Sequence, residues 1–218
     1  MPVLRRSFLW LVVVLASPCA RDSAALSPIP DERGVGSKGA PIVIEVFSDF
    51  QCHGCAEFYL QTLAHVIEDY CNKGLVYLIH REYPLPIPSH RYALDAARWA
   101  LACASIGEYE RAAAALFHNQ STWSESGDIE STIASVLAPG ELARVKQVLK
   151  DHGGEIEAAL AHDMSIGRSF PVHGIPSFRI VVRGNEVFAD HDEPGTDSYN
   201  KLDSYPSLKR YLDERLGK

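Results

Sequence analysis

The feature that most restricts this chain is a strand pattern running straight into two cysteines, spaced three apart, at the start of a helix pattern. Residues 41–50 (PIVIEVFSDF) are mostly β-branched and aromatic, as a buried central strand would be. Residues 51–72 follow with Phe58, Leu63, Val66, Ile67 and Tyr70 near a 3.6-residue period, and Asn72-Lys73-Gly74 supplies a stop. Residues 75–83 (LVYLIHREY) make a second strand pattern, ended by Pro84-Leu85-Pro86-Ile87-Pro88. Strand, helix, strand predicts a parallel pair joined by a crossover.

Cys52-His53-Gly54-Cys55 falls at the strand-to-helix junction. The first turn of a helix has unpaired N–H groups and the positive end of the dipole, so negative charge is favoured there. A thiolate at Cys52 gains from both, and the thiolate is the reactive form of sulfur. Cys55 lies one turn further on, near enough for a disulfide and more buried. The pair can therefore cycle between dithiol and disulfide. Half a zinc site has the same spacing, but zinc needs two further ligands. Cys71 and Cys103 are far apart and form no second C-x-x-C, so neither a metal nor another cofactor is expected. These two are either buried free thiols or a second, structural disulfide. Cys71 ends the first helix, and Cys103 shares an apolar face with Tyr92, Ala96 and Ala100.

The rest of the chain changes character twice. Residues 89–168 carry five Ala-rich amphipathic segments, at 89–105, 108–117, 128–137, 140–152 and 155–168, and read as a helical subdomain. Strand patterns return at 177–183 and 186–189 across a turn at Gly184-Asn185, which predicts a hairpin. An acidic loop at 190–197 leads to a last amphipathic helix at 207–216. Ahead of the hairpin stands Val172-His173-Gly174-Ile175-Pro176-Ser177-Phe178. Proline is normally kept out of strand interiors, so Pro176 at a strand start asks for a reason. A trans turn would serve; a cis bond that exposes the preceding backbone to an incoming chain would serve too.

Residues 1–25 read as a cleaved export signal. Arg5 and Arg6 precede a nine-residue apolar run, residues 8–16, and small residues follow. The run is too short to span a bilayer, which takes about 20 residues; an uncleaved anchor is the alternative. Arg5-Arg6-Ser7-Phe8-Leu9 resembles a twin-arginine signal, although the strongly apolar run suits the general secretory route better. Cys19 is not expected to be lipidated, because Pro18 occupies the place of a small residue. Either route leads to an oxidising compartment. Residues 26–40, rich in Pro, Gly and charge, read as a linker. With 218 residues, 46% hydrophobic and 22% charged, the chain is globular in composition, and five cysteines are too few for a disulfide scaffold. A net charge of −7, from 21 basic and 28 acidic residues, argues against nucleic acid as a partner.

Taken in order, the strand, the C-x-x-C helix, the second strand, the helical insertion, Gly174-Ile175-Pro176, the hairpin and the final helix resemble the DsbA-like branch of the thioredoxin superfamily. The resemblance covers essentially all of the chain after residue 39. It implies an α/β protein: a thioredoxin fold with an inserted all-helical subdomain. Residues 41–88 and 169–218 would be its two parts, and 89–168 the insertion. It further implies that Cys52 is the nucleophile, that Cys55 resolves, and that Pro176 is a cis-proline beside them, preceded by Ile175. Glu45, on the first strand, could then carry the proton of Cys55, or it could be a strand residue turned to solvent. Oxidases of this kind often have Pro-His between the cysteines; here the pair is His53-Gly54. His53 is expected to support the Cys52 thiolate, and Gly54 leaves Cys55 without the usual imidazole beside it.

The function this implies is an exported, monomeric thiol–disulfide oxidoreductase that oxidises dithiols in client proteins. A membrane-bound, quinone-linked partner would reoxidise it. A reductase or isomerase of the same fold is the alternative within this chemistry. A peptide-binding or chaperone protein using the apolar surface around Ile175 and Pro176 is the alternative outside it.

Overall fold

The computed structural model describes residues 29–30, 33–170, 172, 174–189 and 202–218. The export signal expected at 1–25, Cys19, His173 and the acidic loop at 190–197 lie outside these residues. At the centre is a five-stranded mixed sheet. Strand β1 (Arg33–Gly36) runs antiparallel to β3 (Val76–Glu82), β3 runs parallel to β2 (Ile42–Ser48), and β2 pairs antiparallel with β4 (Ser177–Val182), which turns back into β5 (Asn185–Ala189). The sheet order is β1-β3-β2-β4-β5. The parallel register runs from Ile42 opposite Val76 to Ser48 opposite Glu82. Helix α1 makes the crossover. It starts at His53–Phe58 and continues to Cys71 through two π-helical stretches, Tyr59–Leu63 and Ile67–Cys71, around Ala64–Val66.

Two local details differ from the sequence reading. Strand β1 forms inside the stretch read as a linker. Its glycines and charge mask a strand whose register needs them: a Cβ on Gly34 would lie 2.1 Å from the Tyr77 hydroxyl oxygen. The hairpin turn is Arg183-Gly184, one residue earlier than expected, because Val182 pairs with Asn185. Both turn residues take positive φ, 49° and 80°, as a tight two-residue turn requires.

Between β3 and β4 lie a single 3₁₀ turn, Pro88–His90, and the helices α2 (Ala93–Ala104), α3 (Tyr109–His118), α4 (Gln120–Ser126), α5 (Ile129–Ala134), α6 (Pro139–Asp151) and α7 (Gly153–Ser169). Helix α4 escapes the apolar-period test because its one core residue is Trp123. That ring is fully buried, and its Nε1–H donates to the Leu116 carbonyl at 2.7 Å. Small Ala residues on α2 and α3 let these helices sit close together around Trp123 and Ile133.

The sheet faces follow the period of two. Ile42, Ile44 and Val46 on β2, with Leu78 and Ile180, bury against Phe58, Leu63 and Val66 of α1 and Leu208 and Leu212 of the C-terminal helix α8 (Tyr205–Leu216). Glu45 and Phe47 point to the opposite face, where α7 packs. There Gly167 allows close approach, since a Cβ would stand 2.5 Å from the Tyr83 ring. Asp163 of α7 is fully buried on this face. It pairs with Arg33 and with Arg81 Nη1 (3.1 Å), and it accepts the Glu82 backbone N–H (3.1 Å). One carboxylate thus joins β1, β3 and α7. Removing one partner of a buried ion pair leaves the other charge under-compensated. We expect Asp163→Ala to lose about 3–5 kcal/mol of stability, read from urea unfolding at constant pH. A loss below about 1 kcal/mol, the size of a surface pair, would show that this network does not hold the two layers together.

Candidate active site

The site is built where β2 hands over to α1. Cys52 is the N-cap residue, with extended backbone angles (φ −75°, ψ 119°), and its Sγ accepts the Cys55 N–H at 3.4 Å. Its own N–H donates to the Asp49 carbonyl (3.1 Å), and its carbonyl accepts the Ala56 N–H (3.1 Å). Cys52 is half-buried, whereas Cys55 is 1% exposed. The two sulfurs differ sharply in acidity. Hydrogen bonds from the Cys55 thiol and backbone lower the Cys52 thiol to about 6 against an opposing cost of burial, and His90 adds to the lowering while Asp49 opposes it. Burial, followed by the hydrogen bond and charge of Cys52, pushes Cys55 well above the ordinary thiol range. One sulfur is thus set to ionise and the other to keep its proton.

Ile175 and Pro176 close the site from β4. The Ile175–Pro176 peptide is cis, and the Ile175 carbonyl lies 3.6 Å from Cys52 Sγ and accepts its S–H. Pro176 stands over Gly54: a Cβ on Gly54 would be 3.6 Å from Pro176 Cδ and 3.9 Å from Cys52 Sγ. An open cleft of about 480 Å³ starts here and continues over Phe58 and Phe178 to Tyr205. The two phenyl rings stack at 5.3 Å to form its floor.

A match to the thioredoxin family covers residues 29–195, most of the chain. The chain belongs to the thioredoxin family. Among its relatives, a Bacillus anthracis protein named "Probable disulfide bond formation protein D" is 25% identical over 194 residues, 86% of this chain and 79% of that one. Among solved structures, Wolbachia pipientis alpha-DsbA1 superposes with a TM-score of 0.66 at 20% identity, over 88% of this chain and 94% of that one. Oxidised BdbD from Bacillus subtilis superposes at 0.59 with 14% identity, over 86% and 94%. The fold is therefore the DsbA-like form of the thioredoxin fold, with its helical insertion.

Within this thioredoxin fold, Cys52, Gly54, Cys55, Ile175 and Pro176 lie together. Two expected supporting residues do not join them. Glu45 is 4% exposed, so it is not turned to solvent, yet it lies on the face of β2 opposite Cys55. Its carboxylate is held by Arg81 Nε at 2.6 Å and by Arg179 Nε, which leaves it as a structural ion-pair partner and removes it as a carrier of the Cys55 proton. Alternation along the strand dictates this, because the core-facing positions are Ile44 and Val46. His53 is 84% exposed, leans toward Glu57 (3.9 Å) and makes no hydrogen bond to the sulfur. The imidazole whose charge lowers Cys52 belongs to His90, which pairs with Asp49 at 2.7 Å. Cys71 and Cys103 are both buried free thiols, each raised by burial to about 12.

The contacts of three polar side chains at the site lay beyond the sequence reading. The Asp49 carboxylate accepts the Gln51 N–H (2.7 Å), the Leu85 N–H (2.8 Å) and His90 Nδ1 (2.7 Å). Gln51 Oε1 accepts the Tyr92 N–H at 2.5 Å. Gln120 Nε2, at the start of α4, donates to the carbonyls of Phe50 (2.7 Å) and Cys52 (2.9 Å). An Asp three residues before a capping position is a local turn signal; His90 and Gln120 reach the site only through the tertiary fold.

The thiol asymmetry is directly testable. In the reduced protein we expect Cys52 to be alkylated first, with a midpoint near pH 6, while Cys55 stays unreactive through neutral pH. Cys55→Ala removes the thiol donor and should move the Cys52 midpoint upward, whereas Cys55→Ser, which keeps a donor, should move it less. Cys55 labelling first would reverse the assignment.

Proposed function

We propose that this protein is an exported thiol–disulfide oxidoreductase that oxidises dithiols in client proteins. The observation that carries this reading is the pairing of a Cys52 sulfur set to ionise with a Cys55 sulfur held protonated. In the oxidised enzyme a client thiolate attacks Cys52 Sγ. The Cys52–Cys55 bond breaks, and Cys55 leaves with the electron pair and takes up a proton. The client's second thiolate then attacks the client sulfur of the mixed disulfide, and Cys52 leaves as a thiolate. Two electrons pass from the client dithiol to the enzyme dithiol.

Direction follows from the leaving group. A thiolate stable near neutral pH departs readily and stabilises the reduced enzyme, which makes the disulfide oxidising. The cleft beside Pro176 supports the same reading, since an extended client segment laid along it brings its cysteine to Cys52. The names of the relatives, disulfide bond formation protein and DsbA, agree with this chemistry. Export rests on the basic and apolar signal in residues 1–25; among the described residues no helix is long and apolar enough to cross a membrane. A monomer reoxidised by a membrane-bound, quinone-linked protein completes the reading.

The sign of the pH dependence is fixed by the lowered Cys52 value. The extra stability of the reduced form is fully present above the ordinary thiol range, near 9, and is lost as pH falls through about 6. In glutathione buffers at pH 7 we expect a potential more oxidising than that of thioredoxin, about −270 mV. Cys52→Ser should abolish oxidation of a dithiol peptide. A potential at or below the thioredoxin value would make the protein a reductase.

A further inference from the structure

We propose that Asp49 and His90 form a positioning pair that balances charge behind the two cysteines and so sets how strongly Cys52 holds its thiolate. This deepens the thiol-exchange reading above and presupposes it. The pair is built, not incidental. Asp49 is 1% exposed at the end of β2, and its carboxylate is shared between two backbone N–H groups and the His90 ring. His90 sits on the 3₁₀ turn Pro88–His90, carried by the proline-rich loop that Leu85 N–H ties to the same carboxylate. Its side chain is 14% exposed, so the contact is largely shielded from water.

Asp49 also reaches the cysteines through its backbone, accepting the Cys52 N–H at 3.1 Å. The Asp49 carboxylate, buried on the turn that ends at Cys52, opposes ionisation of either sulfur, and it acts in that sense on both Cys52 and Cys55. His90 acts in the opposite sense on Cys52. The other carboxylate coupled to Asp49 is Glu82, at the end of β3. It is fully buried, is raised by burial to about 7, and accepts the Tyr109 hydroxyl at 2.5 Å. His90 from the loop thus touches Asp49, while Cys52 and Cys55 from α1 and Glu82 from the sheet feel its charge. His90 is the one among them that can supply positive charge.

Two substitutions should therefore push in opposite directions, which a purely structural role would not do. Asp49→Asn keeps the amide's acceptor oxygen and removes the charge. His90→Gln keeps a side-chain donor and removes the imidazole. The measurement is the thiolate absorbance of the reduced full-length protein against pH, with glutathione equilibration on the same samples. Asp49→Asn should lower the Cys52 midpoint and favour the reduced form by about threefold or more. His90→Gln should raise the midpoint and disfavour the reduced form by a similar factor. His90→Lys, which returns a positive charge, should recover most of the loss; this arm carries the test if Asp49→Asn does not fold. Shifts of the same sign in Asp49→Asn and His90→Gln overturn the pair, as does a Cys52 titration unmoved by His90→Gln. If opposite shifts appear while no variant or parent oxidises a dithiol peptide, the charge balance stands and the oxidase reading falls.

Discussion

The active site depends on one buried carboxylate. Between Ser48, the last residue of β2, and His53, the first of α1, the chain must turn from strand to helix in four residues. Such a turn strands backbone N–H groups where water is scarce, and each would cost about 1–3 kcal/mol if left unpaired. Asp49 meets that demand. Its carbonyl accepts the Cys52 N–H, one carboxylate oxygen accepts the Gln51 N–H, and the other accepts the Leu85 N–H. The same side chain that makes the turn possible therefore places a negative charge behind two cysteines, one of which must itself become negative. Much of the surrounding structure is a response to that conflict.

The helical insertion takes part in the response. Gln120 of α4 grips the Phe50 and Cys52 carbonyls, Gln51 binds the Tyr92 backbone just before α2, and His90 faces Asp49 from the turn that opens the insertion. These contacts cross from the insertion to the C-x-x-C loop and fix it in place. Helix α4 is short and poor in apolar residues, so it keeps its place by burying Trp123. Its position matters because its first residue holds the N-cap cysteine. The insertion is thus a clamp on the catalytic loop as well as a lid on the fold.

Legibility from sequence divides along the same line. Features that follow from local pattern were readable: the parallel β2–β3 pair, Cys52 at the start of a helix, the buried Cys55 one turn on, and Pro176 just ahead of β4. Glu45 was readable only in part. Strand alternation places it away from Ile44 and Val46, but the resemblance to disulfide oxidases pulled it toward the cysteines. The structure instead pairs it with Arg81 and Arg179, partners 36 and 134 residues away. His53 was judged by adjacency in sequence, whereas the ring that acts on Cys52 is His90, held against Asp49 from 41 residues away. Strand β1 was hidden because the glycine that accommodates Tyr77 also reads as a linker residue. What one strand or helix decides by itself can be read from the chain; what two distant segments decide together needs the fold.

The acidity of the two sulfurs shows how little local sequence settles about direction. Helix position alone would favour a thiolate at Cys52 by about 0.3–1 kcal/mol at an exposed site, a fraction of the shift from an ordinary thiol to about 6. The largest lowering comes from Cys55, whose thiol and backbone both donate toward Cys52, with a smaller one from His90. Cys55 can donate because burial keeps its proton in place. Burial of Cys55 in turn comes from the apolar core of α1, β2 and the insertion, where Ala56, Phe58 and Val46 surround the same turn. A hydrophobic core is thus what makes one thiol a donor and its neighbour an anion. The dipeptide between them, His53-Gly54, contributes an exposed ring and an open approach to Pro176. Much of the electrostatic difference between the two cysteines comes from packing behind them, and so does not depend on the dipeptide between them.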